Sequence, residues 1–306
     1  MTRGIDRGLA RRHGRGVTQD TSGNARVRVG VASTAVATAT GAGVREDLEA
    51  RLAAFCTALS GALGIDVEPH AAPDYPALLE AMNAGRVDVA WLPPVLALRA
   101  ASAGRALPIA LPVRGGVSSF HSALFARAGT PLRRPEDLKG VRAAWVDRNS
   151  ASGYLVIRAS LRAQGVEPVE AFAEERFTGS HEGVVQAVLS GQSDVGATFM
   201  HHREGSGVWK AGWGDADTHV IARVGPIPAD VIAAGIHMPV ARIRAVQSAL
   251  TEAGNPALAE AANALLEAES FVKAESAHLS PLEELLDFLE DNAYRFVSQF
   301  PPSANS

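Results

Sequence analysis

The chain has 306 residues, 47% of them hydrophobic and 20% charged, a balance that suits a soluble folded protein with a sizeable core rather than a disordered or fibrous one. Its formal charge is -4, from 29 basic and 33 acidic residues, so nothing electrostatic calls for nucleic acid or an anionic membrane as partner. No stretch approaches the ~20 continuous apolar residues of a membrane span, and a single cysteine, Cys56, excludes an intrachain disulfide.

In chain order, residues 1–25 read as a disordered leader. Arg3, Arg7, Arg11, Arg12 and Arg15 make it basic, but Arg26 and Arg28 interrupt the apolar run that a signal peptide would need. The alternation of Val27, Val29 and Val31 predicts a first strand over 27–32. A helix follows from Arg45 to Leu63, with Leu52, Phe55, Cys56, Leu59 and Leu63 at helical spacing. Cys56 is expected inside that helix's core face. Residues 65–69 read as a strand, and Tyr75 to Asn83 as a helix capped by Asp74 and closed at Gly85. Residues 87–92 read as a buried strand broken by Pro93-Pro94.

Residues 107–113 and 122–126 are predicted strands around a flexible joint at Arg114-Gly115-Gly116. A short helix over 135–140 leads into a strand at 141–146, a helix from Ser152 to Gln164, another from His181 to Leu189, and a strand at 194–198. Residues 201–217 read as a loop, in which His201, His202 and Glu204 form a weak metal candidate that solvent exposure explains as well. Residues 221–224 are a strand, Gly225-Pro226-Ile227-Pro228 a second crossing, and residues from Val240 onward helical. The alternation of strand and helix implies an α/β fold with mainly parallel sheets. The two joints divide it into lobe 1 (26–113 plus 229–300) and an inserted lobe 2 (117–224), with residues 301–306 a tail and a ligand cleft expected between the lobes.

The segment Asp147-Arg148-Asn149-Ser150-Ala151-Ser152-Gly153-Tyr154 sits between a strand and a helix. A helix start exposes unpaired N–H groups and partial positive charge, so it favours an anion, although an ordinary serine cap explains the same residues when they are taken alone. The segment resembles the D-x-N-S-x-S-G-Y/F-L-V signature of phosphonate, phosphite and phosphate binding proteins of bacterial ABC importers, the PhnD type. Asp74-Tyr75, Gly85-Arg86-Val87-Asp88-Val89-Ala90-Trp91, the turn at 135–140, Gly179-Ser180-His181-Glu182 and Ile227-Pro228 agree with that family in order and spacing, from about Val27 to Pro239.

The resemblance implies a type 2 periplasmic-binding-protein fold that closes on a small oxyanion for import, without catalysis or cofactor, and with an ABC permease as partner. Carried over residue by residue, it implies a ligand set of Tyr75, Trp91, Ser122, Asn149, Ser150, Ala151, Ser152, Gly153, Tyr154, Ser180, His181, Glu182 and Thr198. Glu182 or Asp194 would meet a ligand amino group. Two departures stand out. Ala151 replaces a threonine frequent in the family and removes a hydroxyl donor, worth about tenfold in affinity at ~1 kcal/mol or somewhat more per bond to a charged group. Leu92-Pro93-Pro94 makes the wall after Trp91 apolar and stiff. The family works outside the cytoplasm, whereas the leader lacks a signal-peptide pattern, so a cytosolic or signalling use of the same clamp stays open. An enzyme on a related scaffold, as in pyrimidine-precursor synthesis, would need a reactive His or Cys in the cleft.

Overall fold

Val27, Val29 and Val31 project to one side of the first strand and are buried, while Gly30 faces the other side, where an added Cβ would lie 2.5 Å from the Leu78 side chain. That close approach lets a helix settle directly onto a central strand. The computed structural model describes residues 26–33, 45–202, 209–252 and 254–299. The expected leader and tail, and Glu204, lie outside them.

In chain order the elements are β1 (Val27–Ala32), α1 (Arg45–Leu63), β2 (Val67–Ala72), α2 (Tyr75–Asn83), β3 (Val89–Leu92), α3 (Pro94–Ser102), β4 (Ala106–Val113) and β5 (Ser119–Arg127). There follow β6 (Val141–Trp145), α4 (Val156–Ala163), α5 (Pro168–Ala171), β7 (Phe172–Phe177), α6 (His181–Leu189), β8 (Val195–His202) and β9 (Trp209–Ala211). The chain ends through β10 (Thr218–Pro228), β11 (Val231–Gly235), α7 (Val240–Thr251), α8 (Pro256–Leu266), β12 (Ser270–Lys273) and α9 (Ser276–Gln299). Two sheets result. One runs β12-β4-β11-β3-β1-β2, the other β10-β5-β8-β6-β7 with β9 paired to β8. The first is covered by α1, α7 and α8 on one face and by α2, α3 and α9 on the other. The second packs against α4 on one face and α6 on the other.

The chain crosses between the sheets twice. The first crossing follows β4 and covers residues 114–118, with an isolated bridge between Arg114 and Val117. The second is shorter than the sequence suggests, because β10 stays paired with β5 as far as Pro228 opposite Ser119. Only residues 229–230 separate it from β11.

The lobes repeat one design. In each, a first strand pairs in parallel with two later ones, giving the orders β3-β1-β2 and β8-β6-β7. The helix before the last strand of each unit spans nine residues, begins at Tyr75 or His181 and is followed by a left-handed glycine, Gly85 or Gly191. An aspartate then precedes the last strand. Asp88 accepts from the Arg28 backbone N–H and both arms of its guanidinium, and Asp194 does the same with Arg142. These matching positions are 106 residues apart: 75 and 181, 85 and 191, 88 and 194.

Candidate functional site

β6 delivers the chain to the signature segment. After it, Asp147 accepts the Asn149 N–H on its Oδ1 at 2.7 Å and the Ser150 N–H on its carbonyl at 3.3 Å, folding 147–150 into a tight turn. Ser150 caps the turn after it, its Oγ accepting from the Gly153 N–H at 3.0 Å. That turn, Ala151–Leu155, is a π turn instead of the α-helix start predicted at Ser152, with Leu155 N–H bonded to the Ser150 carbonyl at 3.0 Å. The wider turn leaves the N–H groups of Ala151 and Ser152 without an acceptor inside it, and such turns recur at functional sites. Gly153 is required by space: a Cβ there would sit 2.3 Å from Val146 Cγ2.

The other signature side chains divide by role. Ser122 is fully buried and donates to the Ser152 carbonyl at 2.6 Å, so it braces the turn's backbone. Ala151 and Ser152 are buried. Tyr154 turns into lobe 2, edge-on to Trp145 at 5.8 Å and to Phe177 at 5.2 Å, with the Arg158 guanidinium 5.0 Å from its ring. Asn149 reaches lobe 1, where Arg99 of α3 donates to its Oδ1 at 2.6 Å.

α6 begins beside this turn. Thr178 Oγ1 donates to the Ser180 carbonyl at 3.0 Å, and Ser180 Oγ accepts the Gly183 N–H at 3.0 Å, fixing the helix start. His181 Nδ1 lies 2.9 Å from Thr198 Oγ1, a hydroxyl fully buried in β8. With that hydroxyl donating to Nδ1, the ring proton resides on Nε2. Burial, and then the nearby His201, push the His181 pKa down to about 4. It is therefore a neutral donor of one hydrogen bond at pH 7. Glu182, one residue on, is exposed.

From lobe 1, Asp74 caps α2 through the Ala77 N–H at 2.8 Å and sets Tyr75 at its first position. Burial, reinforced by Asp230 and Asp147, raises the Tyr75 hydroxyl well above the ordinary phenol, so it remains a donor. Asp147 belongs to lobe 2 and Asp230 to the second crossing, so Tyr75 looks onto both. Trp91 takes the opposite side of its sheet. Alternation along β3 sends Val89 and Trp91 into the α1 face, where the indole is 5% exposed and carries the Arg114 guanidinium 5.4 Å from its ring.

Two readings change. Asp194 commits both carboxylate oxygens to Arg142 at the start of β8, four residues before Thr198, and so is not placed to meet a ligand amine. The residues read as a loop from 201 contain the end of β8 and all of β9, and His201 pairs with Lys210 across those strands. Among the described residues no group of three or more His, Cys, Asp or Glu could hold a metal ion. Sequence reasoning also left out Asp230, took Arg114 only as part of a joint and His201 only as part of a weak metal candidate. They lie on two crossings and a strand end, and only the fold makes them neighbours. Arg114 and Asp230 approach to 3.6 Å, tying the crossings together.

The histidines carry a pH signature. His201 is also held at about 4, first by burial and then by Arg114, His121 and Lys210. Both rings stay neutral in the folded state, while unfolding restores a pKa near ~6.5. The unfolded chain therefore binds more protons between about pH 6.5 and 4, and stability falls as pH drops through that window. Melting temperature measured from pH 7 to 4 should decline, and a His181→Asn/His201→Asn variant should flatten that part of the curve. An unchanged slope would contradict the assignment.

Residues 43–279 match the family described as "ABC transporter, phosphonate, periplasmic substrate-binding protein". The phosphate-import protein PhnD of Mycolicibacterium smegmatis is 29% identical over 163 residues, 50% of this chain and 51% of that protein. The chain thus spans about half the length of the curated relatives it matches. Among solved structures, a Xanthomonas citri protein bound to chloride ion aligns with TM-score 0.68 at 22% identity, over 85% of this chain and 95% of that one. PhnD1 of Prochlorococcus marinus in complex with methylphosphonate aligns with TM-score 0.66 at 18% identity, over 87% and 98%. Those two likenesses are of fold, a two-lobed α/β periplasmic-binding-protein architecture, and the match over 43–279 says more: the chain belongs to the periplasmic phosphonate substrate-binding protein family of ABC transporters.

Proposed function

We propose that the chain captures a small oxyanion of the phosphonate, phosphite or phosphate class between its lobes and delivers it to an ABC permease, without chemistry. The observation that carries this reading is the set of neutral donors around the Ser150 turn. The turn's open N–H groups, the Ser150 hydroxyl and the neutral His181 ring come from lobe 2, and the Tyr75 hydroxyl comes from lobe 1. Donors fixed by backbone and caps bind an oxyanion with little reorganisation, and hydrogen bonds to a charged group are worth about 1.5–3 kcal/mol each. A structure of PhnD1 of Prochlorococcus marinus holds methylphosphonate, a ligand of this class.

The one cysteine of the chain stands apart from this set. Cys56 is buried in the α1 core, where burial raises its thiol to about 12, so no thiolate forms near neutral pH.

Thermal-shift and calorimetric titrations with phosphate, phosphite, methylphosphonate and methanesulfonate test the reading. A ligand at ~100 times its dissociation constant adds ~2.7 kcal/mol to stability. His181→Ala should weaken binding of the best anion about tenfold or more, the loss of one charge-assisted bond. No response to any of these anions would refute the oxyanion role, and full affinity in His181→Ala would refute the role of that ring.

A further inference from the structure

The hinge end of the cleft is furnished differently from the Ser150 end. Arg114, in the first crossing, is fixed by its stack on Trp91 and by two bonds to the Leu266 carbonyl at 3.2 and 2.8 Å. From there it lies 3.6 Å from Asp230, the carboxylate of the second crossing, so that acid already has a cationic partner. A row of rings links this end to the anion site. His181 is 5.0 Å from Phe199, Phe199 is 5.2 Å from His201, and His201 is 5.9 Å from Phe120, centroid to centroid. Phe199 and His201 share one face of β8, two residues apart. The His201 Nδ1 is buried and finds no hydrogen-bond partner among the described residues. A buried polar atom left this way calls for an explanation, and a ligand group is one.

A ligand gripped at His181 and the Ser150 turn would lay its organic substituent on Phe199 and point its far end at His201. We propose that this far end is a carboxylate, so that the preferred ligands are phosphonocarboxylates with a short methylene chain. This rests on the oxyanion reading above. The charge argument is direct. Among the described residues Arg114 and Lys210 are the permanent cations near His201, with His121 beside them, and Asp230 already pairs with Arg114, so an ammonium tail would meet net positive charge and a carboxylate would find a countercharge. The His201 imidazole supplies the hydrogen bond, and the Phe199 ring covers the methylenes. Asp147, the other acid facing Tyr75, lies at the far end of the site and accepts the Asn149 N–H.

Calorimetry on the full chain with methylphosphonate, 3-phosphonopropionate and 2-aminoethylphosphonate tests this. Expected is at least tenfold tighter binding of 3-phosphonopropionate than of 2-aminoethylphosphonate, with His201→Leu bringing that ratio close to one. Because both ligands carry the phosphonate, the ratio cancels any loss at the anion end. If the three phosphonates bind but the amino and carboxylate forms are equal or reversed in order, this inference falls while the oxyanion reading stands. If none binds, both fall. A His201→Leu variant that keeps the full preference would remove His201 from the role.

Discussion

Asp88→Ala is expected to cost the fold about 3 kcal/mol, against about 1 kcal/mol for the matching change Asp194→Ala, in urea unfolding of the two variants. The two acids make the same three bonds to arginine, so burial decides between them. The Asp88 side chain is 9% exposed and also accepts from His237 Nε2 at 2.9 Å, whereas Asp194 is 35% exposed and its arginine 40%. Burial alone would raise the Asp88 carboxyl, but the Arg28 and His237 bonds outweigh it and hold the pKa below the ordinary value. Removing a buried partner strands its donors, which is the costly way to break such a pair, while an exposed pair is worth little to begin with. By the sign of the shift, the Asp88 contribution is present above the unfolded value near ~3.9 and is lost as pH falls through the lower folded value. Equal costs for the two variants would show that burial is not what separates them.

Gly153→Ala should reduce oxyanion affinity by two orders of magnitude and destabilise lobe 2 by about 1–3 kcal/mol, the usual range for overpacking. The added methyl would lie 2.3 Å from Val146 Cγ2, 2.7 Å from Val146 Cβ and 2.8 Å from Ser150 Oγ. Val146 is β-branched and stiff, so the turn must move instead of the side chain. Moving it breaks the Ser150 cap and misaims the open N–H groups. Val146→Ala in the same chain removes the 2.3 Å clash but leaves the Cβ of residue 146 at 2.7 Å and Ser150 Oγ at 2.8 Å, so the double variant should recover part of the stability and little of the affinity. A single variant that binds like the parent would show that the turn is not the grip.

Much of this architecture is legible in the sequence because caps and glycines mark it. The helix bounds 45–63, 75–83 and 181–189 follow from apolar spacing, from Asp74 and from the glycines that close them. Four strands escaped notice, β7, β9, β11 and β12; β7 and β12 are sheet edges, β9 falls in the segment read as a loop, and β11 follows directly on the second crossing. The Ala-Glu-Glu-Arg centre of β7 is charged because an edge must discourage pairing, and that charge hides its strand pattern. α3 escaped because Pro93-Pro94 reads as a break, although Pro94 serves as the first residue of a helix. In the candidate site the same division holds. Tyr75, Ser150 and His181 stand at capped helix starts and are visible locally, while Arg114, Asp230 and His201 become neighbours only when two crossings and a strand end converge.

The 106-residue repeat has a consequence for how such a clamp arises. Tyr75 and His181 are the same position of one strand–turn–helix unit used twice, each set by a side-chain cap, and on the proposed reading each donates to a shared ligand. A gene duplication of that unit would give a symmetric pair of jaws with identical first residues, and divergence at that one position would make one jaw a phenol and the other an imidazole. The arginine–aspartate staple and the left-handed glycine are present in both copies. Specificity can therefore change at the tip of either jaw while the lever behind it is inherited intact.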